Sequence, residues 1–213
     1  AGYRTTDLIP ICMTTRAPLV LMTHERTGFT SLADVLARGR VAGNTLNYGS
    51  TGPGTTPHLS MATFARMSGI PLTHISYRGP AELVIALQAG DVHLYADIPN
   101  LVLKESGFRV LATLSPERNA AFPDAPTMRE IGFDLDFSIW LGLFAPLNTP
   151  QPIIDRYEAA CERATRAPAV IQGHERLQMP VMFRNAREFT AIVAGDAERF
   201  RRIIEEGNLR AAE

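Results

Sequence analysis

The residues with the clearest capacity for chemistry lie in one loop, Ser50 to Thr56, inside the stretch LNYGSTGPGTTPHLSMATFARMSG. Gly52 and Gly54 let backbone N–H groups turn toward a common point, because glycine reaches positive φ without a steric cost. Ser50, Thr51, Thr55 and Thr56 add hydroxyls that can donate. The helix expected to follow contributes N–H groups without intrahelical partners and a positive dipole end. Together these suit a small anion such as a carboxylate. The grip would be neutral, since no Arg or Lys lies between Thr45 and Phe64. An ordinary strand-to-helix turn capped by Thr56 also accounts for the same residues.

Two nucleotide readings are excluded. A phosphate loop needs Lys after its second glycine, and here Thr55 and Thr56 follow Gly54. The dinucleotide fingerprint needs a third glycine opening the helix, and here Thr-Thr-Pro stands in that place. Around the loop, His58 falls in the first helical turn, where it either donates to a ligand or faces solvent. Tyr77 and Gly79, just before Pro80, form a second donor rim. Asp97 either accepts hydrogen bonds from a ligand or water, or caps a short helix opening at Pro99. Trp140 is expected to pack in a core or hinge.

Catalytic patterns are lacking. No G-x-S-x-G occurs, His24, His58, His74, His93 and His174 have no metal-ligand spacing, and the carboxylates form no motif pair. Neither a catalytic residue, a metal nor a cofactor is expected.

These residues must be positioned by alternating elements. Short apolar strands are expected at Pro18–Met22, in TLNYG, at Leu72–Ser76, in VHLYA and at Arg109–Leu114. Helices lie between them: one capped by Thr30 or Ser31, one with Thr56 at its N-cap and Pro57 at its first position, and one starting at Pro80. The alternation indicates an α/β fold with a mainly parallel sheet. Ligands collect at the carboxyl ends of such strands, which is where the turns near Ser50, Tyr77 and Asp97 fall. Beyond Ser115 the pattern changes. FSIWLGLFAP reads as a long strand, followed by helices with N-caps at Thr149 and at Asn185, the latter as an N-x-x-E capping box with Glu188. That tail is rich in helix and short of strands.

The 213 residues are 46% apolar and 20% charged, with a formal net charge of -1. This composition is that of a globular chain, with no general attraction to nucleic acid or an anionic membrane. No apolar run reaches the roughly 18 residues of a membrane span. Cys12 and Cys161 are expected to be two small buried apolar residues rather than a disulfide framework or a zinc site. The opening AGYRTTDLIP lacks the features of an export signal, which leaves a cytoplasmic protein or one whose leader has been removed.

Several motifs in one order resemble the Bug-type extracytoplasmic solute receptors, the substrate-binding components of tripartite tricarboxylate transporters. The family pattern is a strand, G-S-x-G-x-G-S/T, H-L, a strand ending Y-K/R-G, a helix and G-x-V; this chain has GSTGPGT, HL, YRG and GDV. RVLATLSPERNAAFPDAPTMREIG and WLGLFAPLNTPQPIIDR match further family motifs. The resemblance implies a periplasmic-binding-protein-like (type II) fold of two α/β lobes, without enzymatic activity. It implies a small carboxylate gripped by Ser50–Thr56, with further contacts at Tyr77, Gly79, Pro80 and Ala81 and around Asp97. It also implies a periplasmic location and membrane transporter subunits as partners. Residues 18–137 would form a complete second lobe, and 1–17 with 138–213 only part of the first. That leads to the expectation of a fragment, or of a homo-oligomer or complementing chain covering the incomplete lobe. The alternatives are a truncated, oligomerising relative without solute capture and, beyond that, an enzyme of small organic acids.

Overall fold

The computed structural model describes residues 4–100 and 106–209. In chain order the elements are β1 (Leu8–Pro18), β2 (Val20–His24), α1 (Leu32–Gly39), β3 (Leu46–Ser50), α2 (Thr56–Ser68), β4 (Leu72–Ser76), α3 (Pro80–Ala89), β5 (Leu94–Asp97), β6 (Phe108–Thr113), β7 (Ser138–Pro146), α4 (Gln151–Thr165), α5 (Pro168–Arg176), β8 (Val181–Arg184) and α6 (Ala186–Gly207). The chain divides into two compact units, Ala1–Ala17 with Ile139–Arg202, and Pro18–Ser138 with Ile203–Glu213.

The unit built on Pro18–Ser138 has a five-stranded sheet in the order β4-β3-β5-β2-β6. β3 is parallel to both β4 and β5, but β2 is antiparallel to β5 and to β6. The expected mainly parallel sheet is therefore a mixed one. The reason is that β2 precedes every helix of this unit and enters between β5 and β6 from the opposite end. α3 lays Leu83, Ala86 and Leu87 against Val20, Met22, Val92 and Tyr95 on one face of the sheet. Gly49 belongs to that face, since a Cβ there would meet Leu83 Cδ1 at 2.8 Å. Tyr48 and Ser50, one residue to either side, point to the opposite face by strand alternation, where α2 packs with Leu59, Met61 and Phe64 buried.

Helix ends follow local chemistry. Ser31 caps α1 and exchanges hydrogen bonds with Asp34; bonds from the Thr30 hydroxyl and N–H, with a smaller part from Ser31, lower the Asp34 carboxyl to about 2. Asn185 and Glu188 form the expected capping box before α6. Two caps sit one residue earlier or later than expected. Thr55, not Thr56, caps α2, and Pro150, not Thr149, precedes α4. The Thr149 hydroxyl instead donates to the Pro146 carbonyl at 2.8 Å. The short helix expected from Pro99 lies largely outside the described residues.

The other unit carries a three-stranded sheet, β7-β1-β8, with β8 antiparallel to β1. β1 is absent from the sequence-based assignment, and it offsets the shortage of strands expected of the tail. Trp140 packs edge-on to Phe189 at 5.1 Å and donates through Nε1 to Asp196 at 2.7 Å. A second cluster joins Ile11, Cys12, Ala145, Ile154 and Cys161. Here the expectation for the cysteines fails: Cys12 on β1 and Cys161 on α4 form a disulfide. Nothing local announces it, because 149 residues separate the two positions.

Closing so long a loop removes much denatured-state freedom, an effect of about 3–5 kcal/mol. Reduction, or a Cys12→Ala/Cys161→Ala double variant, is expected to lower the urea midpoint accordingly. Thiol titration of the denatured, unreduced chain should find no free thiol; two titratable thiols would contradict the pairing.

Candidate functional site

The parallel alignment of β4, β3 and β5 brings three turns to one edge. Ser50 pairs in register with Ser76, and Gly49 with Tyr95, so Thr51, Tyr77 and Asp97 leave their strands side by side. The Tyr77 N–H donates to the Ser50 carbonyl at 2.9 Å and fixes the first two turns to each other. The amino ends of α2 and α3 open from the same edge. Every sequence-predicted site residue, from Ser50 to Asp97, therefore lies within one unit at one end of one sheet.

The glycine loop is more internally bonded than its sequence suggests. Gly52 and Gly54 have φ of 133° and 78°, the backbone region that favours glycine. Their N–H groups, however, point into the protein: Gly52 N–H donates to Ser50 Oγ at 3.1 Å, and Gly54 N–H to His58 Nδ1 at 3.1 Å. Ser50 is fully buried and is also hydrogen bonded to His74 Nε2 at 2.7 Å. The Thr55 hydroxyl donates to the Gly52 carbonyl at 2.7 Å and accepts from His58 N–H. Thr51 and Thr56 differ. Both are half-buried, and among the described residues neither their N–H nor their hydroxyl groups make a hydrogen bond. The outward donors of the loop are thus Thr51 and Thr56, while Ser50, Gly52, Gly54 and Thr55 shape it.

His58 is neither solvent-facing nor turned outward; it is 6% exposed. Its ring lies 4.3 Å from that of His74, and Tyr48 stacks on both, at 6.3 Å and 5.1 Å. Burial lowers His58, and burial reinforced by His58 lowers His74 to about 4. Burial also pushes the Tyr48 phenol up to about 12. Sequence reasoning assigned no role to Tyr48 and His74, which stand in register on β3 and β4. Alternation places Tyr48 and Ser50 on one face, but only the strand register brings His74 to them.

The second rim is simpler. Gly79 caps α3 in an extended conformation, and Pro80 and Ala81 open the helix at the surface. Glu82 accepts from Arg78 N–H at 3.3 Å, so a carboxylate already sits at that helix start. Asp97 accepts from Ile98 N–H at 2.8 Å and from the Tyr95 hydroxyl. Burial raises its carboxyl despite those bonds. Among the described residues no cluster of His, Cys, Asp or Glu could hold a metal.

Residues 2–209 match the family of tripartite tricarboxylate transporter receptors. The chain belongs to that family. A Bordetella pertussis protein is 32% identical over 178 residues, which is 80% of this chain and 54% of that protein. BugT of the same species is 26% identical over 206 residues, 94% of this chain and 63% of BugT. The chain thus spans less than two thirds of the length of these curated relatives. Among solved structures, an R. palustris protein with adipate superposes with a TM-score of 0.87 at 24% identity, covering 98% of this chain and 71% of that one. MatC from Rhodopseudomonas palustris with bound malate gives 0.84 at 24%, covering 95% and 72%. The fold is that of periplasmic solute-binding proteins, and the family is one of receptors rather than enzymes.

The imidazoles make the site pH-sensitive. Unfolded, His74 takes up its proton near 6.5; folded, only near 4. Between those values the unfolded chain holds the extra proton, so acid favours unfolding, and the loss is complete below about 4. Asp97 acts oppositely, because its raised carboxyl gains stability as pH falls. Comparing variants cancels that contribution. The stability difference between wild type and His74→Gln, measured by urea unfolding, should shrink by up to about 3 kcal/mol between neutral pH and the folded His74 value. A difference constant with pH would show that His74 is not buried neutral.

Proposed function

We propose that this chain captures a small organic acid, gripping one carboxylate with the Thr51 and Thr56 donors of the Ser50–Thr56 loop. One observation carries the reading: a loop shaped by glycines at positive φ, tied inward at Gly52 and Gly54, leaves two threonines and the start of α2 facing outward. Helix N-termini hold carboxylates through N–H donors and the dipole, without a cationic side chain. Residues Tyr77, Gly79, Pro80 and Ala81, with Asp97, line the neighbouring turns. His58 and Ser50 act behind the loop rather than on the ligand.

In this reading residues 18–137 are one lobe of a receptor, and 1–17 with 138–213 belong to the other. The ligand is handed to membrane subunits of a tripartite tricarboxylate-type transporter from the periplasm. Family membership supports the partners, and the Cys12–Cys161 disulfide supports an oxidising compartment. The adipate and malate of the two superposed proteins support a dicarboxylate as the first ligand to try.

Calorimetry with malate, adipate, tricarboxylates, amino acids and aromatic acids tests the reading. A hydrogen bond to a charged group contributes about 1.5 kcal/mol, so Thr51→Val and Thr56→Val should each weaken binding roughly tenfold without shifting the melting temperature. Absence of heat with every acid, or threonine variants that bind as wild type, would refute it.

A second reading rests on a different face. Leu141 and Leu143 alternate on β7 and are 49% and 45% exposed, and Ile153 and Tyr157, four apart on α4, are 45% and 55% exposed. Such apolar surface is expected to be covered by another copy or a complementing chain. Light scattering on the purified chain distinguishes this: a dimer supports the oligomer, and a stable monomer rejects it.

A further inference from the structure

Beneath the glycine loop lies a layer of rings that the carboxylate grip itself does not use. Tyr48 and His74 rise from β3 and β4 in register, and His58 reaches them from the first turn of α2. His58 joins the loop by a bond of fixed polarity. A backbone N–H can only donate, so Gly54 N–H donating to His58 Nδ1 at 3.1 Å requires that nitrogen to carry a lone pair. The ring proton then belongs on Nε2. A protonated ring would present N–H to N–H at this contact and would place a positive charge beside His74.

The consequence runs along the chain. Gly54 is followed directly by Thr55 and Thr56, and Thr55 is tied back to Gly52 through its hydroxyl. Gly52 is tied through Ser50 to His74. The two imidazoles thus hold the loop at both glycines, and the outward donors at Thr51 and Thr56 flank those fastenings. We propose that His58 is a positioning residue for the glycine loop: its neutral imidazole, accepting from Gly54 at Nδ1, sets where Thr51 and Thr56 stand. The meaning for binding rests on the carboxylate reading above, but the fastening itself does not.

The surroundings are consistent with a ring kept neutral. Among the described residues the titratable groups whose rings pack against His58 are Tyr48 from β3 and His74 from β4, both uncharged at neutral pH. Burial lowers His58, and burial together with His58 lowers His74. The phenol of Tyr48, raised by burial, stays protonated throughout. Because neutral His58 is an acceptor and charged His58 is not, the Gly54 tether is present above the titration of this ring and lost below it.

Nitrogen-15 NMR on the unliganded chain tests this. At neutral pH the His58 ring should show Nδ1 unprotonated and Nε2 protonated. On acidification the Gly54 amide should shift with the midpoint of the His58 ring, while the Gly69 amide at the far end of α2 stays in place. In His58→Asn, whose side-chain oxygen lies near the Nδ1 position and does not titrate in this range, the Gly54 amide should hold its neutral-pH shift. Nδ1 protonated at neutral pH, a Gly54 amide indifferent to the ring's titration, or Gly54 and Gly69 moving together as in acid unfolding would each overturn the proposal. No ligand is added, so a chain that fails to bind any carboxylate leaves this result unaffected.

Discussion

Pairing of β3 with β4 on one side and β5 on the other forces three chain segments to leave the sheet at the same height. Once Ser50 is level with Ser76 and Gly49 with Tyr95, the loop after β3, the turn after β4 and the acid ending β5 become neighbours. The bond from Tyr77 N–H to the Ser50 carbonyl continues this pairing one residue past the strands. A slip of β3 by one residue would turn Tyr48 and Ser50 to the α3 face, part them from His74 on β4 and remove the layer on which the loop rests.

The neutral anion site proposed for this edge has a physical logic. Backbone donors at a helix start are held by the fold and carry no mobile countercharge, so their position, rather than net charge, decides what they bind. Position in turn depends on what lies behind the loop. Ser50 and His58, both buried, form with His74 and Tyr48 a layer in which Ser50 Oγ is bonded to His74 Nε2 and Gly52 N–H, and His58 Nδ1 to Gly54 N–H. That is costly to disturb, since an unmatched buried donor loses more than a single bond contributes. On the α3 side, Asp97 is desolvated and hydrogen bonded to Tyr95.

Much of this was legible in the sequence because the signals are local. A cap at Thr30 or Ser31, Asn185 with Glu188, and Pro80 ahead of an apolar helix are encoded within a few residues; the cap falls on Ser31 and the other two appear where expected. The α/β class and the identity of the loop followed from the same short patterns. What was missed depends on distant partners. The Cys12–Cys161 disulfide spans 149 positions, and β1 becomes a strand by lying between β7 and β8. The reversed β2 is set by its place beside β5 and β6. Within the loop, sequence indicated donors but not their direction. Gly52 and Gly54 were read as ligand donors, whereas the buried Ser50 and His58 claim those N–H groups and leave Thr51 and Thr56 outward.

The central claim is that a carboxylate sits on this loop, held by neutral donors. The most direct measurement is a crystal structure of the chain with a small dicarboxylate bound. The account predicts one carboxylate within hydrogen-bond distance of the N–H and hydroxyl groups of Thr51 and Thr56, with Gly54 still bonded to His58. A carboxylate held instead by an arginine elsewhere on the chain, with the Ser50–Thr56 loop unoccupied, would contradict it.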